Sequence, residues 1–339
     1  MTVEKLPYVS VILPCRNEEP FLAACLDSII ANDYPKDRME IILVDGLSSD
    51  QTLAIAESRK ANREGVSLSI IQNPKKIFPC AVNLGIKQAL GDYIMIIGAH
   101  AVYDKLYLPA IIETAMRTGA ENTGGVLITE GLNQSLVGKA ITQVLSSPFG
   151  VGNSTFRTGS DIETEVDTVF GGCYQKSVFE KIGLFNENLV STSDMDFNTR
   201  LQKTGGKIVL TPAAKTHYFT RTDFKKFVRN NFRNGFWSLY PLRFLNYLPV
   251  RFRHLIPLFF FSGLLLGGIL SCLIPYLWIA FIACMALYFC VAVAASLKFV
   301  RSNILNLFLM PFLFFMLHAT YGLGSLVGLT RAVTGRTIR

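Results

Sequence analysis

Over roughly the first 225 residues, short apolar runs alternate with helical patterns. "YVSVILP" precedes a helix predicted from about Glu18 to Ile30, "MEIILVDG" precedes one opening at Ser48, and "VSLSIIQN" precedes "CAVNLGIKQAL" and then "DYIMIIG". Near-continuous apolar strands separated by helices are the pattern of a parallel sheet covered on both faces. Ser48 and Gln51 have capping-box spacing, which predicts a helix start immediately after the second strand. A second part runs from about Gly124 to His217: a strand "GGVLIT", a loop from about Ser146 to Ser160, then "VDTVFGGCYQKSVFEKIG" and "DMDFNTRLQKTGGKIVLTP". The loop is longer than most connections, which marks it as a mobile lid or an acceptor-binding segment. The predicted class is α/β.

From Leu255 onward charges almost vanish. "LIPLFFFSGLLLGGILSCLI", "YLWIAFIACMALYFCVAVAASL" and "ILNLFLMPFLFFMLHATYGLGSLVGL" are each long enough to cross a hydrocarbon core, which takes about 20 apolar residues in a helix. The stretch before them, "FKKFVRNNFRNGFWSLYPLRFLNYLPVRFRH", interleaves basic and aromatic residues as helices in a membrane interface do. The expected organisation is a cytoplasmic domain over residues 1–222, an interfacial segment over 223–254, a region of about three spans over 255–330 and a basic tail over 331–339. "MTVEKLPYVS" has no apolar signal-peptide core, so the first domain is expected in the cytoplasm, attached to the inner membrane by a multi-pass anchor. Arg243, Arg251, Arg253, Lys298 and Arg301 agree with that orientation by the positive-inside rule. Arg331, Arg336 and Arg339 conflict with it, unless one segment is re-entrant.

The formal charge of +8 gathers just before the spans, which points to anionic lipid and not to nucleic acid. Seven cysteines without CxxC spacing fit a reduced compartment. Ligands of parallel α/β sheets bind beyond the carboxyl ends of the strands, so Pro14 to Glu18, Asp45 to Asp50 and Gly98 to Asp104 fall along one rim. Neither GxGxxG nor GxxxxGK[ST] occurs at these turns, which argues against a dinucleotide fold or P-loop. Asp45 can accept hydrogen bonds from a base or ribose, or can cap its own turn. Asp50 reads as a first-turn residue favoured by the helix dipole. Arg16 and Asn17 are placed to meet phosphate or nucleobase. In "STSDMDFNTRLQ", Asp194 and Asp196 open a helix, where Asp194 serves either as an N-cap or as a general base. His100 and His217 end strand-like runs, and imidazole ligates manganese or magnesium when phosphate oxygens supply other positions.

Taken together, "VSVILPCRNEE", "EIILVDGLSSDQT", "NLGIKQALGDYIMIIGAHA", "GGCYQKSVFEKIGLFNE" and "SDMDFNTRLQKTGGKI" resemble the family 2 glycosyltransferases and their GT-A fold, over about residues 8 to 240. The ending "HATYGLGSLVG" after the spans is similar to a subgroup of bacterial exopolysaccharide enzymes of the succinoglycan glucosyltransferase type. The resemblance implies that Pro14, Arg16, Asn17, Glu18, Asp45, Asn83, Gly98 and Ala99 hold the nucleotide of a sugar donor. It implies Asp194 as catalytic base, with inversion at the anomeric carbon. It also implies an acceptor and donor-sugar pocket of Gly171, Gly172, Cys173, Asp196 and Arg233, and a Mn2+ or Mg2+ ion on His100 and His217. Asn230 and Arg233 match the family's Gln and Arg poorly, and no Trp follows.

The family's DxD supplies carboxylates to ribose and metal. The related subgroup carries D-x-H, and here the first position is Gly98, which leaves an altered G-x-H. Asp92 stands at the wrong end of its strand to compensate, and Asp104 would need the exit loop to fold back. The implied activity is transfer from a nucleotide sugar, a UDP-sugar in the first instance, to a lipid-linked saccharide, with other polysaccharide-assembly proteins as further partners. Transfer to a polyprenyl phosphate and a catalytically silent scaffold are the alternatives.

Overall fold

Strands buried on both faces form where the apolar runs are longest. The computed structural model describes residues 6–61, 65–132, 135–220, 223–300 and 303–335. They fall into two units, one comprising residues up to Ile128 together with Thr155–Phe219, the other Thr129–Ser154 together with Thr220 onward.

The first unit begins β1 (Val9–Cys15), α1 (Glu19–Ile30), β2 (Met39–Asp45), α2 (Thr52–Ala61), β3 (Ser67–Gln72), α3 (Phe78–Gln88), β4 (Tyr93–Ile96), β5 (Ala101–Tyr103) and α4 (Tyr107–Thr118). Next comes β6 (Asn122–Gly131), whose end lies across the unit boundary, and α5 (Leu136–Leu145) and α6 (Pro148–Val151) follow in the second unit. The chain returns to the first unit with α7 (Thr155–Thr158), β7 (Thr164–Glu165), β8 (Phe170–Gln175), α8 (Lys176–Ile182), α9 (Ser193–Lys203) and β9 (Ile208–Thr220). The strands make one sheet in the order β3-β2-β1-β4-β8-β6-β9-β5, with β7 on β9. β3, β2, β1 and β4 are parallel, as their apolar runs predict. Beyond β4 the sheet continues with antiparallel pairs, β4 with β8, β8 with β6, and β9 with β5 and β7. The pleat sends alternate residues of β1 to opposite faces. Val11 and Leu13 pack with Leu22, Cys25 and Leu26 of α1, and Ile12 with Ala81, Val82 and Ile86 of α3.

Register decides where the sheet opens. β1 pairs with β2 from Val9↔Met39 to Cys15↔Asp45, but with β4 only from Val9↔Tyr93 to Ile12↔Ile96. Ile12 carbonyl accepts from Ile97 N (3.0 Å) on the β4 side, so Pro14, two residues on, turns its nitrogen to that same side. Proline has no N–H to give, and the ladder ends there. Because β2 and β3 lie to one side of β1 and β4 to the other, the opening is the switch point of the parallel half, where such sheets bind ligands.

The second unit adds α10 (Phe224–Leu239), α11 (Ile256–Leu273), α12 (Leu277–Leu297) and α13 (Asn306–Thr334). Among the described residues three helices are long and apolar enough to cross a membrane, ending at Leu273, Leu297 and Thr334, in agreement with the three runs. Arg301, Arg336 and Arg339, used above to judge orientation, lie outside the described residues. Two features extend the boundaries read from sequence. Residues 129–154 belong with these helices, because Ala140, Ile141 and Val144 of α5 bury against Met310, Leu313, Phe314 and Leu317 of α13. Two polar bonds fix this docking: Asn306 Nδ2 donates to Gln143 Oε1 (2.9 Å), and His318 Nε2 bonds the Phe149 carbonyl (3.0 Å). A carbonyl can only accept, so Nε2 carries the proton and His318 Nδ1 accepts from Tyr288 Oη (2.8 Å).

α10 likewise packs along α13. A Cβ on Gly235 would lie 1.9 Å from the Tyr321 carbonyl oxygen, one on Gly324 2.1 Å from that of Phe232, and one on Gly328 2.2 Å from that of Phe236. The two backbones are in contact, as in small-residue helix pairs of membranes. The opposite face of α10 exposes Lys225, Lys226, Arg229 and Arg233, so this helix is amphipathic. A Cβ on Gly268 of α11 meets nothing within 4 Å. Gly→Ala adds helix propensity of about 1 kcal/mol at either site. Gly268→Ala is therefore expected to leave the thermal stability of the detergent-solubilised protein unchanged or raised. Gly324→Ala should lower it by up to about 3 kcal/mol as the helices are forced apart.

Candidate active site

The exits of β1 and β2 are stitched together before either helix begins. Asn17 N donates to Ser48 Oγ (3.0 Å) and Ser49 N to Asn17 Oδ1 (2.8 Å). Glu18 N donates to Thr52 Oγ1 (2.8 Å). The helix after β2 opens at Thr52, not at Ser48 as the capping-box spacing predicts. Ser48 instead turns back, its hydroxyl donating to Asp45 Oδ1 (2.5 Å), while Asp50 Oδ1 accepts from Thr52 N (3.0 Å) and caps the helix. Asp45 is buried and holds its own turn. The backbone here is forced: Asn17 and Leu47 both have left-handed φ, 55° and 57°. Asn tolerates this, but for Leu47 it costs about 1–2 kcal/mol, a strain of the kind stored at ligand sites. Arg16 lays its aliphatic stem on Gly46, where a Cβ would come within 3.1 Å of it.

Across the opening stand Gly98, Ala99 and His100. Gly98 N donates to Tyr103 Oη (3.1 Å). A Cβ at Gly98 would meet only Phe170, at 3.4 Å, an ordinary van der Waals contact. His100 Nε2 lies 3.0 Å from Glu18 Oε1, joining the β4 exit to the start of α1. The His100 ring packs on Phe21 (centroids 4.4 Å apart) and approaches Tyr218 (6.5 Å), which in turn meets Phe170 edge-on (5.5 Å).

Asp194 sits in the first turn of α9, a helix anchored by a buried polar network. Asn198 Oδ1 accepts from Asn122 Nδ2 (3.2 Å) and Tyr174 Oη (3.1 Å), and Asn198 Nδ2 donates to Thr168 Oγ1 (3.1 Å). The Asp194 side chain reaches solvent. The protein mass around it nevertheless displaces enough water to raise its pKa, opposed by hydrogen bonds from the backbone N–H groups of Met195 and Asp194 and by the charge of Arg157. Arg157, on α7, is within electrostatic reach of both Asp194 and Tyr218, and burial lowers its own pKa. Arg157, Tyr218, Phe170 and Phe21 carry no motif. The only signal for Arg157 was its place in the long Gly- and Ser-containing loop.

Several expected site residues do other work. Asn83 clasps a distant loop: its Oδ1 accepts from Phe185 N (3.0 Å) and its Nδ2 donates to the Phe185 carbonyl (2.9 Å). Asp196 is buried against Arg200 (3.0 Å), whose guanidinium also donates to the Ile182 and Leu184 carbonyls, so the pair braces α9. Cys173 lies wholly inside the core, and Gly171 and Gly172 are packing glycines: Gly171 has φ +61° under the Tyr107 hydroxyl, and a Cβ on Gly172 would strike Asn122. Arg233 and Asn230 are exposed on α10, in the other unit. His217 also departs from expectation. Its neighbour Tyr218 faces the core and His100, so the pleat turns His217 to the opposite face, where Nε2 meets Asp104 Oδ1 (3.4 Å). Asp92 Oδ2 accepts from Tyr8 N (2.9 Å) at the far end of β4.

Among the described residues no three His, Cys, Asp or Glu side chains converge into a metal cage. The Glu18–His100 pair is a donor set at the opened rim, and Glu18 Oε2 and His100 Nδ1 are each buried without a hydrogen-bond partner. One carboxylate and one imidazole fit a divalent ion that takes its other ligands from a diphosphate and water.

Comparison with known proteins places this site in context. The profile of glycosyl transferase family 2 matches residues 10–183. The chain is 30% identical over 234 residues to a Methanococcus voltae protein named dolichyl N-acetyl-alpha-D-glucosaminyl phosphate 3-beta-D-2,3-diacetamido-2,3-dideoxy-beta-D-glucuronosyltransferase, covering 67% of this chain and 72% of that one. It is 28% identical over 213 residues to the succinoglycan biosynthesis protein ExoA of Rhizobium meliloti (strain 1021), covering 62% of this chain and 63% of the relative. In fold it is similar to the mannosyltransferase PcManGT of Pyrobaculum calidifontis, solved with GDP-Man and Mn2+ (TM-score 0.62, 15% identity, 96% of this chain and 88% of the other). A second likeness is to S. aureus TarS with UDP-GlcNAc (TM-score 0.50, 22% identity, 63% and 59%). The mixed sheet is the GT-A fold of these glycosyltransferases. With the profile spanning more than half of its length and a relative at 30% identity over two thirds of it, this chain belongs to glycosyl transferase family 2 and is a glycosyltransferase.

Proposed function

We propose that the chain is an inverting enzyme that moves a sugar from a nucleotide sugar, a UDP-sugar in the first instance, to a lipid-linked saccharide at the cytoplasmic face of the inner membrane. The observation that carries this reading is the grouping at the opened rim: Glu18 pairs with His100, the His100 ring approaches Tyr218, and Arg157 lies within electrostatic reach of both Tyr218 and Asp194. In this reading Asp194 takes the proton of the acceptor hydroxyl as that oxygen attacks the anomeric carbon from the face opposite the nucleotide. The glycosidic bond to the diphosphate breaks, its electron pair leaves with the nucleoside diphosphate, and the configuration inverts. Arg157 offsets charge near the reacting centre. A divalent metal, when bound at Glu18 and His100, would add Lewis-acid stabilisation of the leaving diphosphate. A lipid-linked acceptor is supported by the name of the Methanococcus relative and by the three apolar helices. The exposed cations of α10 suit anionic headgroups.

The direct test is release of nucleoside diphosphate by the detergent-purified protein from a panel of nucleotide sugars, with lipid extract as acceptor. Metal-stimulated release that chelation suppresses is expected; no release with any donor and any lipid fraction would count against catalysis. Asp194→Asn should lower turnover by at least about a hundredfold while nucleotide binding by calorimetry stays intact. A fully active variant would remove Asp194 from the role of base. Because Asp194 must be ionised to accept a proton and its pKa is raised, activity should fall as pH drops through that pKa. Arg157→Gln deletes a charge that lowers it, so the acidic limb of the kcat/KM profile should move to higher pH.

A further inference from the structure

Position 98 lacks the carboxylate that would share a cation with His100. A carboxylate is present nonetheless, arriving from the opposite side of the opening. Glu18 Oε1 is 3.0 Å from His100 Nε2, and the two side chains are 15% and 26% exposed. Adjacent corners of an octahedron with metal–ligand bonds of about 2.1 Å also lie about 3.0 Å apart. The pair therefore already has the spacing of two neighbouring ligands on one ion.

Charge and hydrogen bonding point the same way. A largely buried carboxylate needs a compensating cation. Among the described residues the ion pair recorded for Glu18 is with His100, and an imidazole supplies positive charge only when protonated. Glu18 Oε2 is buried with no donor, and a cation bound to the carboxylate would satisfy it. The arrangement is also fixed in advance. Glu18 N is held by Thr52 Oγ1, its carbonyl accepts from Phe21 N (3.0 Å) and Leu22 N (2.9 Å), and the Phe21 ring buttresses His100.

We propose that Glu18 supplies the carboxylate missing at position 98, so that Glu18 and His100 together ligate the divalent cation of this enzyme. The inference rests on reading the opened rim as a nucleotide-diphosphate site. It relocates the charge of the metal site from the β4 exit to the β1 exit and leaves the number of carboxylates unchanged.

The test is Mn2+ binding by the full-length protein in detergent, with UDP and in parallel with GDP, followed by titration calorimetry and by the electron paramagnetic resonance of free Mn2+. Glu18→Gln and His100→Gln should each weaken Mn2+ binding by at least about tenfold. Gly98→Asp should tighten it in the wild type and restore it in the Glu18→Gln background; that recovery shows that the double variant is folded. Pulsed resonance should show nitrogen coupling to bound Mn2+ that survives Glu18→Gln and vanishes in His100→Gln. Wild-type Mn2+ affinity in Glu18→Gln would overturn the proposal and leave the contact a simple hydrogen bond. Nucleotide binding measured both with Mn2+ and in chelator separates the two levels: its absence from the wild type under both conditions, with both nucleotides, would overturn the reading of the rim itself.

Discussion

Everything at the rim depends on where two strands stop pairing. β1 and β4 run together as far as Ile12 and Ile96, and the next nitrogen that β1 would turn toward β4 belongs to Pro14. Without that break the exits carrying Glu18 and His100 would be held in register as sheet. With it they separate and are free to face each other through side chains. The clasp between Asn17, Glu18, Ser48, Ser49 and Thr52 then holds the β1 exit against β2, so the opening forms on one side only. An enzyme gains a cleft of fixed width in this way without a flexible loop on that wall.

The second unit is held by a different principle. Its helices meet in the manner known from membrane helix pairs, through close backbone contact and buried hydrogen bonds. Gly235, Gly324 and Gly328 provide the first, and the His318–Tyr288 and Asn306–Gln143 bonds provide the second. α5 is recruited by the same means, which explains why a segment of moderate hydrophobicity in the middle of the chain belongs with the membrane-type helices at its end.

The legible parts of the sequence were those in which one element carries its own signal. β1 to β4 announce themselves through unbroken apolar runs, and α11 to α13 through length. β5 and β7 hold three and two residues and leave no pattern to read, so the antiparallel half stayed hidden. The place of Asp194 in the first turn of α9 was legible because a carboxylate opening a helix is a local feature. The clasp of Asn83 is invisible in sequence because its partner Phe185 is 102 positions away, and the pairing of Asp196 with Arg200 is indistinguishable from any i, i+4 pair. His217 misled by one step of the pleat. Arg157 went unnoticed because a one-turn helix inside a loop has no periodicity, and its meaning arises only where the chain folds beside Asp194.

Gly98 has a consequence for the history of the site. Glycine and aspartate codons can differ by a single base, and a Cβ at 98 would have only the ring of Phe170 within 4 Å. Neither the genetic code nor crowding at Cβ bars a side chain from that position, so the chain stands one base change away from a carboxylate there. A site of this kind can drift between ligand sets while the scaffold around it stays still.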